Sequence, residues 1–155
     1  MIDFVKSLLT DFDPTMLLPD LSKLFENLEL ILRIAVLVGP LCLLGLGLCY
    51  LLTPAKEANH SYGFRCYWGM SSVEVWQFTQ RLAGLVWTGL GLILTIVMAI
   101  ICNGYRELTQ DAMVHSAITI ILWELGLIVA SIIAINITVI VLFDHKGYRR
   151  HQIRR

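Results

Sequence analysis

The chain has 155 residues, 57% of them hydrophobic and 15% charged, with no net formal charge and a mean hydropathy of +0.71. Soluble domains carry about a quarter charged residues, so this composition excludes an ordinary soluble domain and points to a membrane protein. Acids crowd the first third and bases the last ten residues, an asymmetry that bears on membrane orientation rather than on nucleic acid.

In residues 1–29, Ile2, Val5, Leu8, Leu9 and Phe12 fall at helical spacing, and Leu17, Leu21, Leu24, Phe25 and Leu28 do so again after Asp13-Pro14. This spacing predicts two short amphipathic helices lying at the membrane interface. The acidic start lacks a basic segment followed by a continuous apolar core, so no cleavable signal peptide is expected.

Residues 30–143 hold three segments long enough to cross a bilayer, which takes about 20 apolar residues. They cover residues 30–52, 82–102 and 117–143. The first is expected to bend near Gly39-Pro40. In lipid every backbone amide needs an internal partner, and no barrel-like alternation is present, so all three are expected to be helices. The expected fold is an all-α integral membrane protein with three transmembrane helices preceded by amphipathic interfacial helices.

With three spans, the first interhelical loop and the C-terminus share one side. That side carries Lys56, Arg65, Arg81, Lys146, Arg149, Arg150, Arg154 and Arg155, against Lys6, Lys23, Arg33 and Arg106 on the other. The excess of positive charge places the loop and C-terminus in the cytoplasm and the N-terminus outside. Residues 144–155 then form a basic cytoplasmic tail suited to anionic lipid, with no direct nucleic-acid role expected.

Polar residues within the spans are few. Glu124 costs about 3 kcal/mol if it stays charged at mid-membrane. It lies roughly 10 Å along the third span, and Arg33 about 5 Å along the first, measured from the same face. An Arg33–Glu124 pair in the outer leaflet is therefore expected, in preference to a protonated Glu124 in a proton path. Gly126, Ala130, Ala134 and Thr138 recur every four residues on the third span, a stripe that lets another helix approach closely. Packing within the chain is the expectation for this stripe, with homo-oligomerisation left open and Asn136 placed to bond across the contact. Gly84, Thr88 and Gly91 offer a weaker counterpart on the second span.

Catalytic chemistry has no visible basis: there is no nucleophile–base set, paired carboxylates, HExxH or phosphate-cradling glycine loop. The four cysteines, Cys42, Cys49, Cys66 and Cys102, and the four histidines lack metal-ligand spacing. No enzyme activity and no cofactor or metal is expected.

The stretch NHSYGFRCYWGMSSVEVWQFTQRLAG, residues 59–84, is the crowded polar exception. Ser71-Ser72-Val73-Glu74 has the form of a capping box, so a helix is expected to start there and run into the second span. Gly63 permits a left-handed turn, Asn59 can bond that turn, and Tyr67 and Met70 are expected to be pinned beneath it. Trp76 is expected at the bilayer interface. Together these features describe a folded elbow over residues 55–84.

Asn59, Gly63, Phe64, Arg65, Met70, Trp76, Arg81 and Gly84 match, in register, a signature of the form N-x-x-x-G-[YF]-R-T-P-x-S-M-x-x-x-x-x-W-x-x-A-N-R-x-x-G. In this the chain resembles the SdpI family of small bacterial membrane proteins. It departs from the pattern at Cys66, Tyr67 and Gly69, and at Thr79-Gln80 where the family usually has Ala-Asn. The resemblance implies a role in immunity to a secreted, membrane-acting peptide toxin, or in sensing one. Its implied partners are the toxin outside and a DNA-binding repressor held at the inner face. The rival expectation is a small structural subunit of a larger membrane complex.

Overall fold

The computed structural model describes residues 27–58 and 62–150. The expected amphipathic helices of residues 1–29, Asn59 and residues 151–155 of the basic tail lie outside the described residues, apart from the few positions at the inner edge. Three long helices dominate: α1, Leu28–Leu52; α2, Val73–Asn103; and α3, Gln110–Leu142. Each is long and apolar enough to cross a membrane, which fits a multi-pass membrane protein.

The starts of α1 and α2 have local causes. Glu29 stands in the first turn of α1 and pairs with Arg33, one turn on, at 2.5 Å. A carboxylate there also favours the positive end of the helix dipole. Helix α1 runs unbroken through Pro40, which is buried. At its far end the Cys49 carbonyl accepts from both the amide and the Oγ1 of Thr53, at 3.0 and 2.9 Å, which closes the last turn.

Helix α2 starts one residue later than a capping box on Ser71 requires. Ser72 is the N-cap, its hydroxyl accepting from the Val75 amide at 3.3 Å, while Ser71 Oγ donates back to the Trp68 carbonyl at 2.7 Å. Glu74 is thereby released from a capping role. The helix continues without interruption from the elbow into the span, as its sequence predicts. A 3₁₀ turn at Gly104–Glu107 then hands the chain to α3, with Tyr105 buried beneath it.

Helices α1 and α2 form the most intimate contact, and glycine makes it possible. A β-carbon on Gly91 would stand 2.5 Å from the Leu44 amide nitrogen, one on Gly84 would sit 2.9 Å from the Leu51 side chain, and one on Gly47 would strike the Thr88 backbone. These glycines let the two backbones approach as small residues do throughout membrane bundles. Helix α3 covers this pair with a face of Met113, Ala117, Glu124, Ser131, Ile135 and Val139, all buried. The remaining helix surfaces are apolar and exposed, with Leu85, Ile93, Ile100, Leu122, Trp123 and Val141 all more than half exposed. Such a surface suits hydrocarbon rather than water.

Candidate functional site

The elbow between α1 and α2 is folded around one side chain, Gln80. Its amide bonds both backbone groups of Phe64: Nε2 donates to the Phe64 carbonyl at 2.8 Å, and Oε1 accepts from the Phe64 amide at 2.7 Å. Gln80 is fully buried and Phe64 nearly so. A loop strand that enters an apolar bundle needs partners for its backbone, and Gln80 supplies them from the first turns of α2. Gly63, just before, has φ +118°, and a β-carbon there would lie 2.8 Å from both Gln80 Oε1 and the Trp76 ring. Only glycine fits this position on both grounds.

Trp76 does not anchor the elbow in the bilayer interface. It is fully buried, and its indole Nε1 donates to the Ala55 carbonyl at 2.9 Å, tying the end of the post-α1 segment to α2. Gln77 reinforces the tie from outside, donating to the Lys56 carbonyl at 3.3 Å. Beneath the elbow lies an aromatic group absent from the sequence reading. Trp87 stacks on Tyr50 at 5.7 Å, meets Phe64 edge-on at 5.4 Å, and donates through Nε1 to Ser131 of α3 at 3.1 Å. One indole thus joins all three helices to the loop. A lone Trp in an apolar span carries no pattern that would have singled it out.

Three of the departures from the family signature, Cys66, Gly69 and Thr79, sit together. Cys66 Sγ accepts from the Gly69 amide at 3.2 Å, and a β-carbon on Gly69 would lie 2.6 Å from that sulfur and 3.0 Å from Thr79 Oγ1. Where the family has bulk at the position of Gly69 and little at that of Thr79, this chain has the reverse. Burial pushes the Cys66 thiol up from its ordinary value, against the opposing hydrogen bonds from Gly69 and Thr79, which favours the neutral thiol.

What the elbow presents outward is Arg65, Arg81, Met70 and Tyr67. Tyr67 is 88% exposed and Met70 37%, so neither is pinned beneath the turn. The reason is that Phe64 and Trp76 already fill that space. Arg65 is exposed, within electrostatic reach of Tyr50 at the end of α1. Gly84, the last signature residue, lies inside the α1–α2 contact.

Residues 144–150 are not a loose tail. Asp144 Oδ1 accepts from the Tyr148 and Lys146 amides at 2.8 and 2.9 Å, closing a tight turn in which Phe143 and Arg149 pair as an antiparallel bridge. Gly147, at φ +82°, lies against Ser72, where a β-carbon would come within 2.7 Å of Cβ and Oγ. Arg149 pairs with Glu74 at 3.2 Å and lies over the Phe143 ring, while His145 meets Trp68 edge-on at 6.4 Å. The end of α3 is therefore docked on the elbow, and the two share one end of the bundle.

At the opposite end, Arg33 and Glu124 do not form the expected ion pair. Arg33 is held by Glu29, whose carboxylate Arg106 also approaches at 3.8 Å. Glu124 is 4% exposed with no ion pair among the described residues, and its Oε1 has no hydrogen-bond partner. The i,i+4 neighbour on the same helix wins Arg33 because it is already in reach.

The small-residue stripe on α3 is likewise displaced from its expected role. Ala130 and Ala134 are exposed, and a β-carbon on Gly126 would meet nothing within 4 Å. Thr138 Oγ1 and Asn136 Nδ2 bond carbonyls of their own helix, Ala134 and Ile132, at 2.8 and 2.9 Å. The buried face of Ser131, Ile135 and Val139 lies one residue, or about 100°, further round. Within the chain the weaker stripe on α2, not this one, makes the close helix contact.

A family model described as the SdpI/YfhL protein family matches residues 56–143, more than half of the chain. The matched region begins at the elbow and ends at the C-terminus of α3, so the docked turn of residues 144–150 lies outside it. Comparison with curated proteins and with solved structures gives no match.

Proposed function

The chain belongs to the SdpI/YfhL family, and from that premise we propose that it confers immunity to, or senses, a secreted membrane-active peptide toxin. It does so without enzymatic chemistry of its own, as a multi-pass protein of a bacterial plasma membrane with its N-terminus outside and its C-terminus cytoplasmic. The elbow is the cytoplasmic face that relays or stabilises, and the helix ends around Glu29 and Arg106 face the toxin. The observation that carries this reading is the elbow itself, a signature segment braced by Gln80 and Trp76 so that Arg65 and Arg81 stand outward on a fixed frame. A rigid basic surface of this kind suits a soluble protein partner such as a repressor.

The test is survival. A strain lacking the gene, challenged with the peptide fraction secreted by its own species, should die, and the reintroduced gene should restore growth. Arg65→Ala should insert in the membrane at equal level and fail to protect. Unchanged survival of the deletion strain would remove the immunity reading, and full protection by Arg65→Ala would remove the role of the elbow arginine.

One observation favours a second reading, a structural or accessory subunit of a larger membrane complex. The stripe of Gly126, Ala130 and Ala134 faces away from the chain's own helices, as a docking surface for another transmembrane helix does. Stoichiometric recovery of other integral subunits after cross-linking in native membranes would favour it, and so would homo-oligomeric cross-links through α3 favour self-association.

A further inference from the structure

Among the described residues, Glu124 is the one acidic residue that the packing encloses without giving it a partner. It lies in the first half of α3, facing the other two helices. Its side chain is close enough to α1 that a β-carbon on Gly39 would come within 3.0 Å of Oε2. Oε1 is buried with no hydrogen bond. Among the described residues, the ionisable groups facing this region are Arg33 from α1, whose guanidinium pairs with Glu29 through Nη2 and keeps a buried Nε without a hydrogen bond, Cys102 from the end of α2, and Tyr105 from the 3₁₀ turn. The Cys102 thiol lies within electrostatic reach of both Arg33 and Glu124. None of these groups neutralises the carboxylate by contact.

We propose that Glu124 is a proton-binding site inside the helical bundle, holding its proton where α3 closes on Gly39 of α1. An ionised carboxylate buried in a membrane needs a cation, hydrogen-bond donors or water around it. The contact at Gly39 admits the neutral acid and leaves no room on that side for a hydration shell. Releasing the proton therefore requires α3 to part from α1 at this level, or a cationic group to be brought beside Oε1. Proton occupancy and the α1–α3 contact are linked in both directions. The inference does not depend on whether the protein serves in immunity or as a subunit of a complex.

The experiment is an infrared difference spectrum, wild type minus Glu124→Gln, of the full chain in nanodiscs of neutral lipid through a pH titration. Subtraction cancels the other eleven acidic residues of the twelve in the chain. At neutral pH the difference should show the carbonyl stretch of one un-ionised carboxyl, replaced by carboxylate bands as pH rises, while helix content stays constant. Carboxylate bands already present at neutral pH would overturn the proposal. So would a neutral-acid band that persists until the protein unfolds, because the acid would then be a fixed filler. Gly39→Ala, which presses on Oε2, should shift the titration midpoint, and an unchanged midpoint would overturn the placement at Gly39.

Discussion

Replacing Gln80 with Leu keeps a side chain of similar size and deletes both hydrogen bonds to Phe64, so the loss is chiefly that of the clamp. The Phe64 amide and carbonyl are then both buried without partners. Each such group costs about 1–3 kcal/mol, and two together about 2–6 kcal/mol. The upper part of that range is out of reach, because the elbow can open and hydrate Phe64 once opening is the cheaper route. An effect of about 2–4 kcal/mol on elbow closure is therefore expected, or roughly a thirty- to several-hundredfold change in the opening equilibrium at about 1.4 kcal/mol per factor of ten. Hydrogen exchange of the Phe64 amide in nanodiscs reads this opening directly. Gln77→Leu serves as the control: Gln77 is exposed and makes one 3.3 Å bond to Lys56, so the change should stay within about 0.5 kcal/mol. Phe64 protection in Gln80→Leu within threefold of wild type would refute the reasoning, since Gln80 would then be replaceable by the apolar surroundings.

Gly63→Ala combines a left-handed backbone with a β-carbon 2.8 Å from Gln80 and Trp76, and should destabilise the elbow by about 2–5 kcal/mol in the same exchange assay. Gly89→Ala, with open space around it, should be neutral or slightly stabilising because it only improves helix propensity. Gly91→Ala forces α1 and α2 apart against the Leu44 backbone and should lower the thermal midpoint in detergent markedly, whereas Gly126→Ala should leave it unchanged; equal effects would mean the wrong helix face has been assigned to the interior. Asp144 is held below the ordinary carboxylate range, first by the Tyr148 amide. Its contribution to the docked turn is accordingly present at neutral pH and disappears as pH falls through that lowered value. Trp68 fluorescence, reporting contact with His145, should follow the loss, and Asp144→Ala, which removes the acceptor of both amides, should show the undocked signal already at neutral pH.

The three helices were legible because length and hydropathy alone decide which segments can satisfy their backbones in lipid. What the pattern could not rank was competition between polar partners. Arg33 had two acids within geometric reach, and the one a turn away on the same helix took it, leaving Glu124 alone. The stripe at Gly126 and the contact at Gly91 are both series of small residues, and spacing does not say which of them meets another backbone. The elbow shows a different limit. Its signature residues were visible as a set, yet Gln80, the residue that holds the loop, stands at one of the positions where the chain departs from the set. Cys66, Gly69 and Thr79 are departures too, and they touch one another. Read singly, each looks like decay of the motif. Placed together, they are neighbours whose volumes fit one another, beneath an elbow in which Phe64 and Trp76 stay buried. Restoring one family residue alone, as in Gly69→Ser, should therefore destabilise this elbow through the Cys66 sulfur 2.6 Å from the new β-carbon, and restoring Gly69→Ser with Thr79→Ala and Cys66→Thr together should recover much of the loss.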